Sequence, residues 1–290
     1  MHSRLALGTV QFGLDYGVAN QAGKVRFEEA RNILKLATEH SIDTLDTAIA
    51  YGDSESTLGQ AGVSNWKVVT KLSAVPDNCN DIAGWVESQV EGSLGRLGIH
   101  QLHGVLLHRP EQLLGESGYQ LSKALQNLKA RGFTKKIGIS IYAPEELDRL
   151  TQAMDIDLVQ APLNILDRRL IESGWSKRLN ARGVELHVRS AFLQGLLLMP
   201  ADQRPAKFAC WQPIWNEWQR WLEEAGLTPL QACLAYNLSV EEVNKVVVGA
   251  DSFKQFNEIL DAARSVLPNL PNWPQPIDLI LINPSQWSQV

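Results

Sequence analysis

Four side chains that can hold or move a proton stand at or just after the ends of short apolar runs. They are Asp46, Tyr51, Lys71 and His108. A carboxylate, a phenol, an ammonium and an imidazole are the groups that enzymes use for general acid–base catalysis. If the runs are neighbouring parallel strands, about 4.8 Å apart, these side chains converge on one pocket.

The chemistry that this set can perform is the protonation of a carbonyl oxygen. A phenol has a reference pKa of about 10, and a nearby ammonium favours its ionised form. Lys71 beside Tyr51, itself anchored by Asp46, therefore makes the tyrosine a tunable proton donor. His108 can orient or polarise the carbonyl oxygen, or assist the proton relay. Because none of the four can deliver a hydride, a nicotinamide is expected to supply it.

Each residue alone is more readily explained as a helix cap, a turn, a solvated charge or a core histidine. The order and placement of all four together favour the catalytic interpretation. His103 lies at the start of the fourth apolar run, and we exclude it because that end of a barrel strand usually serves stability.

Short strand-like runs alternate with amphipathic helix-like segments along the chain. The predicted strands are residues 5–7, 44–45, 68–70, 105–107, 137–139, 158–160, 185–188 and 246–248. The predicted helices are residues 27–40, 54–61, 82–97, 119–131, 144–154, 169–182, 228–238 and 252–263. Repeated β–α alternation indicates a parallel sheet, and eight strands is the number that closes a (β/α)8 TIM barrel.

One additional helix is predicted over residues 213–225, where Trp211, Trp215 and Trp218 share a face and Trp221 extends it. We interpret this face as packed core. From about residue 267 the chain holds five prolines, which predicts an irregular strap over the domain. The prolines are Pro268, Pro271, Pro274, Pro276 and Pro284. No linker divides residues 1–290, so one domain is predicted.

The composition excludes several classes of protein. The chain has 290 residues, 44% apolar residues and a net charge of −5, which gives no reason to expect nucleic acid or an anionic membrane as a partner. No run approaches the ~20 apolar residues that span a bilayer, and we find no secretory signal. Three dispersed cysteines indicate neither disulfides nor a zinc site, so no metal is expected. A cytoplasmic enzyme is the expectation.

The sequence resembles the aldo-keto reductase family over residues 5–260. The most specific motif is the block with Asp46, Tyr51-Gly52 and Ser54-Glu55, followed by Leu58-Gly59. The resemblance implies a (β/α)8 barrel and NAD(P)H-dependent reduction of an aldehyde or ketone, with Tyr51 as general acid. A sugar or nucleotide-linked sugar is the suggested small-molecule substrate. The barrel is expected to lack the N-terminal hairpin that plugs its bottom in many members.

The family binds its cofactor without a Rossmann glycine fingerprint, and none follows a strand here. The resemblance implies cofactor contacts at the ends of several strands. By position in this chain they are Gly8, Thr9, Val10, Asp46, Ser140, Gln160, Arg189, Ser190, Phe192, Gln194, Gly195, Gly249, Ala250, Asp251 and Gln255. Ser140 and Gln160 would bind the carboxamide. The free N–H groups that open the last helix, near Asp251, would suit a phosphate.

Three positions depart from the family pattern. Ile141 stands where an asparagine would be a second carboxamide partner, and Arg189 where an aromatic ring often stacks on the nicotinamide. Asp251 occupies a position where a basic residue often pairs with the 2′-phosphate of NADP. A carboxylate there repels that phosphate. NADP(H) is the cofactor that the resemblance implies, and because of Asp251 we retain NAD(H) as an alternative cofactor.

Two other functions remain open on the sequence. A catalytically weak regulatory subunit that senses nicotinamide redox state would bind the cofactor without turnover. A barrel lyase or hydrolase that uses Lys71 and His108 would be active without any nicotinamide.

Overall fold

The computed structural model describes residues 2–20, 22–271, 273 and 277–289, in which eight parallel strands close into a barrel. They follow one another around the barrel in chain order. The strands are β1 (Leu5–Gly8), β2 (Thr44–Asp46), β3 (Lys67–Leu72), β4 (Leu102–Leu107), β5 (Thr134–Ser140), β6 (Leu158–Pro162), β7 (Glu185–Arg189) and β8 (Lys245–Val248). The predicted (β/α)8 architecture is confirmed.

Helices lie around the outside of the barrel, between successive strands and after the last one. They are α1 (Phe27–Glu39), α2 (Ser54–Ala61), α3 (Ile82–Leu97), α4 (Gly118–Ala130), α5 (Leu147–Ala153), α6 (Arg169–Glu172), α7 (Trp175–Ala181), α8 (Gln212–Ala225), α9 (Pro229–Ser239), α10 (Phe253–Ala262) and α11 (Leu279–Ile282). No helix in the described part of the chain is both long and apolar enough to cross a membrane.

Two predicted helices were wrong in extent. The segment 169–182 is not one helix, because Gly174 adopts a φ of +74° and separates α6 from α7. The segment 144–154 begins with a 3₁₀ turn at Pro144–Glu146, and only its second part, α5, is α-helical.

The strand register sets which residues lie at the mouth of the barrel. Asp46, the last residue of β2, pairs with Gly8 of β1 and with Val69 of β3. Lys71 of β3 pairs with Leu106 of β4. Because all pairs are parallel, these strands end at the same face, which is where (β/α)8 enzymes place their active sites.

The apolar core lies mainly between the strands and the helices, and a small separate cluster of Val69, Leu106 and Leu158 is buried apart from it. Gly138 lets the backbones approach closely, because a Cβ at this position would lie 1.8 Å from the carbonyl oxygen of Leu158. The residue must therefore stay glycine for β5 and β6 to pair as they do.

A charged cluster lies at the opposite, N-terminal end of the strands. Glu185 accepts hydrogen bonds from Nε2 of His187 at 2.6 Å and Nε2 of His103 at 3.1 Å, and it pairs with Lys136. Burial opposes ionisation, yet these donors hold the pKa of Glu185 well below its usual range. His103 therefore lies at the end of the barrel opposite to the C-terminal ends of the strands.

Residues 2–4 form a 3₁₀ turn directly before β1, and no hairpin precedes that strand among the described residues.

The tryptophan-rich helix α8 packs into the core. Trp215, Trp218 and Trp221 are buried, and Trp218 stacks on Trp221 with ring centroids 5.7 Å apart. The C-terminal tail covers this helix, because Trp273 approaches the Trp218 ring at 6.1 Å. Of the predicted strap, Pro274 and Pro276 lie outside the described residues. That the whole chain forms one domain stays a prediction.

Candidate active site

Lys71 is the centre of a buried hydrogen-bond network at the mouth of the barrel. Its Nζ donates to both carboxylate oxygens of Asp46 at 2.9 and 2.8 Å and to the carbonyl oxygen of Thr47 at 2.9 Å. The same Nζ lies 3.4 Å from the Tyr51 hydroxyl. Lys71 of β3 thus contacts both Asp46 of β2 and Tyr51 of the loop after β2, while the catalytic roles of the three residues stay predictions.

The charge of Lys71 is maintained by its neighbours. Burial alone would lower the pKa of this lysine, but the Asp46 carboxylate and the Tyr51 hydroxyl raise it above its ordinary value. The ammonium therefore stays protonated at neutral pH, and it lies where a negative charge on the Tyr51 oxygen would develop.

The His108 ring also packs against the Tyr51 ring. Their ring centroids are 6.1 Å apart with an interplanar angle of 82°, an edge-to-face arrangement. Burial, with the positive charges of Lys71 and Arg189, lowers the pKa of His108 to about 4. The imidazole is therefore neutral at pH 7 and can donate one N–H.

Ser140 and Gln160 form a hydrogen bond with each other, and Gln160 also bonds Asp46. Gln160 donates to Oδ1 of Asp46 at 2.6 Å, and Ser140 donates to the Gln160 side-chain oxygen at 3.4 Å. Both side chains are buried and neither lines the cavity described below. In this arrangement the Gln160 amide already donates to Asp46. To bind the carboxamide of a nicotinamide as predicted, the Gln160 side chain would have to share its hydrogen bonds between Asp46, Ser140 and the cofactor. The Ile141 side chain is fully buried.

A cavity of about 430 Å³ opens beside Tyr51 and Asp46, a volume within the range of cofactor sites. Most of the predicted contact residues line it: Gly8, Thr9, Val10, Asp46, Tyr51, Arg189, Ser190, Phe192, Gln194, Gly195, Gly249, Asp251 and Gln255. The others do not, and they are Lys71, His108, Ser140, Gln160 and Ala250.

The comparison with known proteins agrees with this geometry. A family model described as "Aldo/keto reductase family" matches residues 4–269. The chain belongs to the aldo/keto reductase family. It is therefore an oxidoreductase of the class that interconverts carbonyl compounds and alcohols.

Individual relatives are distant. The oxidoreductase sirO of Leptosphaeria maculans is 28% identical over 71% of this chain, and the match covers 65% of that protein. A D-threo-aldose 1-dehydrogenase of a Pseudomonas species is 25% identical over 91% of this chain and 92% of its own length. Among solved structures, the aldo-keto reductase AKR11C1 of Bacillus halodurans superposes with a TM-score of 0.70 at 22% identity, covering 92% of this chain and 88% of that one. This structural likeness shows the fold.

In this aldo/keto reductase the loop after β1 forms a wall of the cavity that sequence reasoning missed. Tyr16 accepts a hydrogen bond from Gln194 at 3.2 Å, and Asn20 donates to Oδ1 of Asp251 at 3.4 Å. The loop thus bridges the β7 and β8 sides of the cavity. Gly13, Gly17 and Gly23 were the sequence signal for such a loop.

Other missed lining residues come from the loops after β1 and β7, from β8, and from α9 with its N-cap and α10. They are Gln11, Leu198, Thr228, Pro229, Leu230, Val247, Glu258 and Ile259, with Gly17 and Ala19 from the β1 loop. Glu258 follows Gln255 by three residues on α10, and this spacing, which puts two side chains on one helical face, could have identified it.

The loop after β7 has an unusual backbone. Ser190, Leu193 and Gln194 adopt φ values of +63°, +49° and +54°, a region that residues other than glycine rarely occupy. Asn164 donates to the Ser190 carbonyl oxygen at 3.2 Å, and Trp218 donates to that of Leu197 at 3.2 Å. Bonds from outside the loop therefore help to hold this strained wall of the cavity in place.

The start of α10 differs from the prediction of a free phosphate-binding terminus. The N–H of Phe253 donates to Oε1 of Glu29 at 2.6 Å, and that of Gln255 donates to the Ser252 hydroxyl at 3.2 Å. The N–H of Asp251 donates to the Gln255 side-chain oxygen at 2.8 Å. These three N–H groups are thus bonded to side chains, one of them a carboxylate, and phosphate binding at this helix terminus stays a prediction.

Among the described residues, no group of three or more His, Cys, Asp or Glu side chains is arranged to hold a metal ion.

Proposed function

We propose that this protein reduces an aldehyde or ketone to an alcohol with a nicotinamide cofactor, and that Tyr51 is the proton donor. The observation that supports this most directly is the position of Lys71, whose ammonium contacts both the Tyr51 hydroxyl and the Asp46 carboxylate. A buried cation beside a phenol lowers the cost of forming the phenolate, which is the state that Tyr51 reaches after giving up its proton.

The proposed reduction transfers one proton and one hydride equivalent to the carbonyl group. The carbonyl oxygen accepts a hydrogen bond from Tyr51 and then its proton, while the carbonyl carbon gains a hydrogen with its electron pair. A reduced nicotinamide, when bound, supplies that hydrogen and electron pair. Lys71 stabilises the phenolate that remains, and Asp46 keeps the ammonium in place. A proton from solvent then restores Tyr51.

His108 is proposed to orient the carbonyl. Because its pKa is lowered to about 4, the neutral ring donates an N–H and adds no positive charge near Tyr51. The edge-to-face contact between its ring and the Tyr51 ring, with centroids 6.1 Å apart, supports a role beside the proposed proton donor.

The cavity offers partners that suit a dinucleotide. Gln11 lines the cavity, and its buried side-chain oxygen has no hydrogen-bond partner among the described residues, so it can accept from a ribose or adenine donor. A Cβ at Gly249 would lie 2.6 Å from the Gln11 amide, so the glycine preserves this cradle. Gly8, Thr9 and Arg189 would hold the nicotinamide side, and Asp251 with Gln255 the adenosine side.

We further propose NAD(H) in preference to the NADP(H) that the family resemblance implies. Asp251 and Glu258 both line the cavity, and Arg189 is the only lysine or arginine among its described lining residues. A 2′-phosphate at that end would face two carboxylates and the α10 N–H groups that are already bonded. A carboxylate instead suits a free ribose 2′-hydroxyl, the arrangement that selects NAD in dinucleotide-binding folds.

A sugar or nucleotide-linked sugar remains the proposed substrate class. The support is the name of a relative that matches most of this chain, the D-threo-aldose 1-dehydrogenase. An aldose panel therefore belongs in the first assay.

Turnover of NADH with a panel of aldehydes and aldoses, for the wild type and Tyr51→Phe, tests the proposed acid. We expect kcat to fall by roughly 10²–10⁴-fold in the variant, since general acid catalysis is worth about that factor. Tyr119→Phe, at a tyrosine that is 73% exposed, is the matched control and should retain wild-type turnover. Equal turnover in Tyr51→Phe and the wild type would remove the proposed donor.

The same assay separates the two alternative functions. Tight NADH binding without reduction of any carbonyl would favour the redox-sensing subunit. Activity that persists in cofactor-free protein would favour the lyase or hydrolase, which uses Lys71 and His108 without a nicotinamide.

A further inference from the structure

Arg189 brings an uncompensated positive charge to the cavity. It ends β7 and lines the cavity together with Tyr51 and Asp46. No carboxylate among the described residues forms an ion pair with it, and its hydrogen-bond acceptors are a carbonyl and a hydroxyl. By contrast, the charges of Lys71 and Asp46 neutralise each other across 2.8 Å.

The guanidinium is held in a defined position. Its Nη2 donates to the Ile141 carbonyl oxygen at 2.9 Å, and its Nη1 donates to the Ser190 hydroxyl at 3.2 Å. The group also lies 4.6 Å from the centroid of the Tyr142 ring. Because the guanidinium is a rigid planar group with five N–H donors, these two bonds and the ring contact define its orientation.

This charge acts on the end of the cavity where the proposed reaction takes place. The carbonyl oxygen must contact Tyr51, and the hydrogen donor must lie within about 3.5 Å of the carbonyl carbon. Arg189 is near enough to this end that its charge contributes to the lowered pKa of His108, after burial and Lys71. The nicotinamide ring would therefore lie in the field of the guanidinium.

We infer that Arg189 makes this protein selective for the reduced state of its cofactor. This inference rests on the proposed function. The reduced nicotinamide ring is neutral, whereas the oxidised ring carries one positive charge, so a fixed cation disfavours only the oxidised form. At the effective dielectric of a partly buried site, one such repulsion over several ångströms corresponds to roughly tenfold or more in affinity.

The consequence lies in which form of the cofactor occupies the site. The enzyme would be filled by the reduced cofactor and would release the oxidised product cofactor readily, so inhibition by the oxidised form would be weak. By thermodynamic linkage, each tenfold increase in the dissociation constant of the oxidised form relative to that of the reduced form raises the midpoint potential of the bound two-electron couple by about 30 mV. Arg189 is thus a specificity-determining residue for cofactor redox state.

Calorimetric titration of NADH and of NAD⁺ into the wild type, Arg189→Met and Arg189→Lys tests this inference without any turnover. We expect the wild type to bind NADH roughly tenfold more tightly than NAD⁺. Arg189→Met should lose most of that ratio, chiefly by binding NAD⁺ more tightly, and Arg189→Lys should retain most of it. Arg178→Met is the matched control, since Arg178 also stacks on an aromatic ring, at 4.0 Å from the Trp175 centroid, but lies outside the cavity.

The outcomes distinguish this inference from the proposed function. If both dissociation constants change equally in Arg189→Met, the arginine binds a part common to both forms, and the inference is wrong while the proposed function stands. A wild-type ratio near one would overturn it in the same way. If the wild type binds neither dinucleotide, the proposed function itself fails. Should Arg189→Met not fold, Arg189→Gln, which can still donate to the Ile141 carbonyl, replaces it.

Discussion

Gln160 and Asp46 are joined by a hydrogen bond of 2.6 Å between Nε2 and Oδ1, although 114 residues separate them in the chain. The carboxylate that anchors Lys71 is thereby fixed from β6 as well as from β3. Asp46 accepts three hydrogen bonds, two from Lys71 and one from Gln160, so its orientation is determined on both sides.

We therefore predict that Gln160→Met lowers kcat. The Asp46 carboxylate would lose one partner and turn, and Lys71 would move with it, so the proton donor would be misplaced. A shift of about 1 Å can cost roughly 10²-fold, and we expect a tenfold to hundredfold decrease. Steady-state kinetics measures it. Gln101→Met, at an exposed glutamine that bonds the Gly132 carbonyl oxygen, is the control. An unchanged kcat in Gln160→Met would show that Asp46 does not need this bond.

The pH dependence of reduction should lack a limb near pH 6.5. His108 has a pKa lowered to about 4, so the ring stays neutral as the pH falls from 8 to 5 and gains a proton only near pH 4. We therefore expect that titration of His108 causes no change in kcat/KM between pH 5 and 7. In His108→Gln, which retains an N–H donor, the decline near pH 4 should disappear. A wild-type limb that centres on pH 6.5 and is lost in this variant would contradict the proposed environment.

Glu185→Gln should destabilise the fold at neutral pH. The Glu185 side chain is 14% exposed and accepts from two histidines and a lysine, so its loss removes about 2 kcal/mol from the free energy of unfolding. Because the donors depress its pKa below the ordinary value of about 4.5, the folded state binds fewer protons than the unfolded state. The stabilisation is thus complete above about pH 4.5 and is lost as the pH falls further.

Urea unfolding of the wild type and Glu185→Gln at pH 7 and at pH 4 measures this difference. Asp148→Asn is the control, because Asp148 pairs with Arg178 at 3.8 Å on the surface, with side-chain exposures of 62% and 52%. Such a pair contributes less than about 1 kcal/mol. A Glu185→Gln variant as stable as this control at pH 7 would refute the prediction.

Asp251→Arg should shift cofactor preference toward NADPH. It removes a carboxylate and adds a phosphate partner where the cavity wall is acidic, so we expect the ratio of kcat/KM for NADPH to that for NADH to rise by roughly 10-fold or more. Asp261→Arg is the control, since Asp261 is exposed on α10, the helix that follows Asp251, and lies outside the cavity. An equal ratio in Asp251→Arg and the wild type would mean that this position does not read the 2′-phosphate.

The sequence by itself determined the architecture and the four reactive residues. Strand-like runs that alternate with amphipathic helices dictate a parallel barrel, and the order of Asp46, Lys71 and His108 along successive strands places them at one face. These signals are local, because each depends on a few neighbouring residues and a short period. The break of the predicted 169–182 helix escaped this reasoning, because one glycine with positive φ separated two segments that share a periodicity.

Only the tertiary structure decided how the other side chains are used. The bond from Gln160 to Asp46, the capping of α10 by Glu29 and the bridge from Asn20 to Asp251 all join residues far apart in the chain. Hydrogen-bond donors such as the N–H groups of α10 look free in the sequence, and which acceptor reaches them depends on the packing of another helix. The chemical groups were therefore readable from the chain, but their partners, and hence their charge states and availability, depend on contacts that only the closed barrel creates.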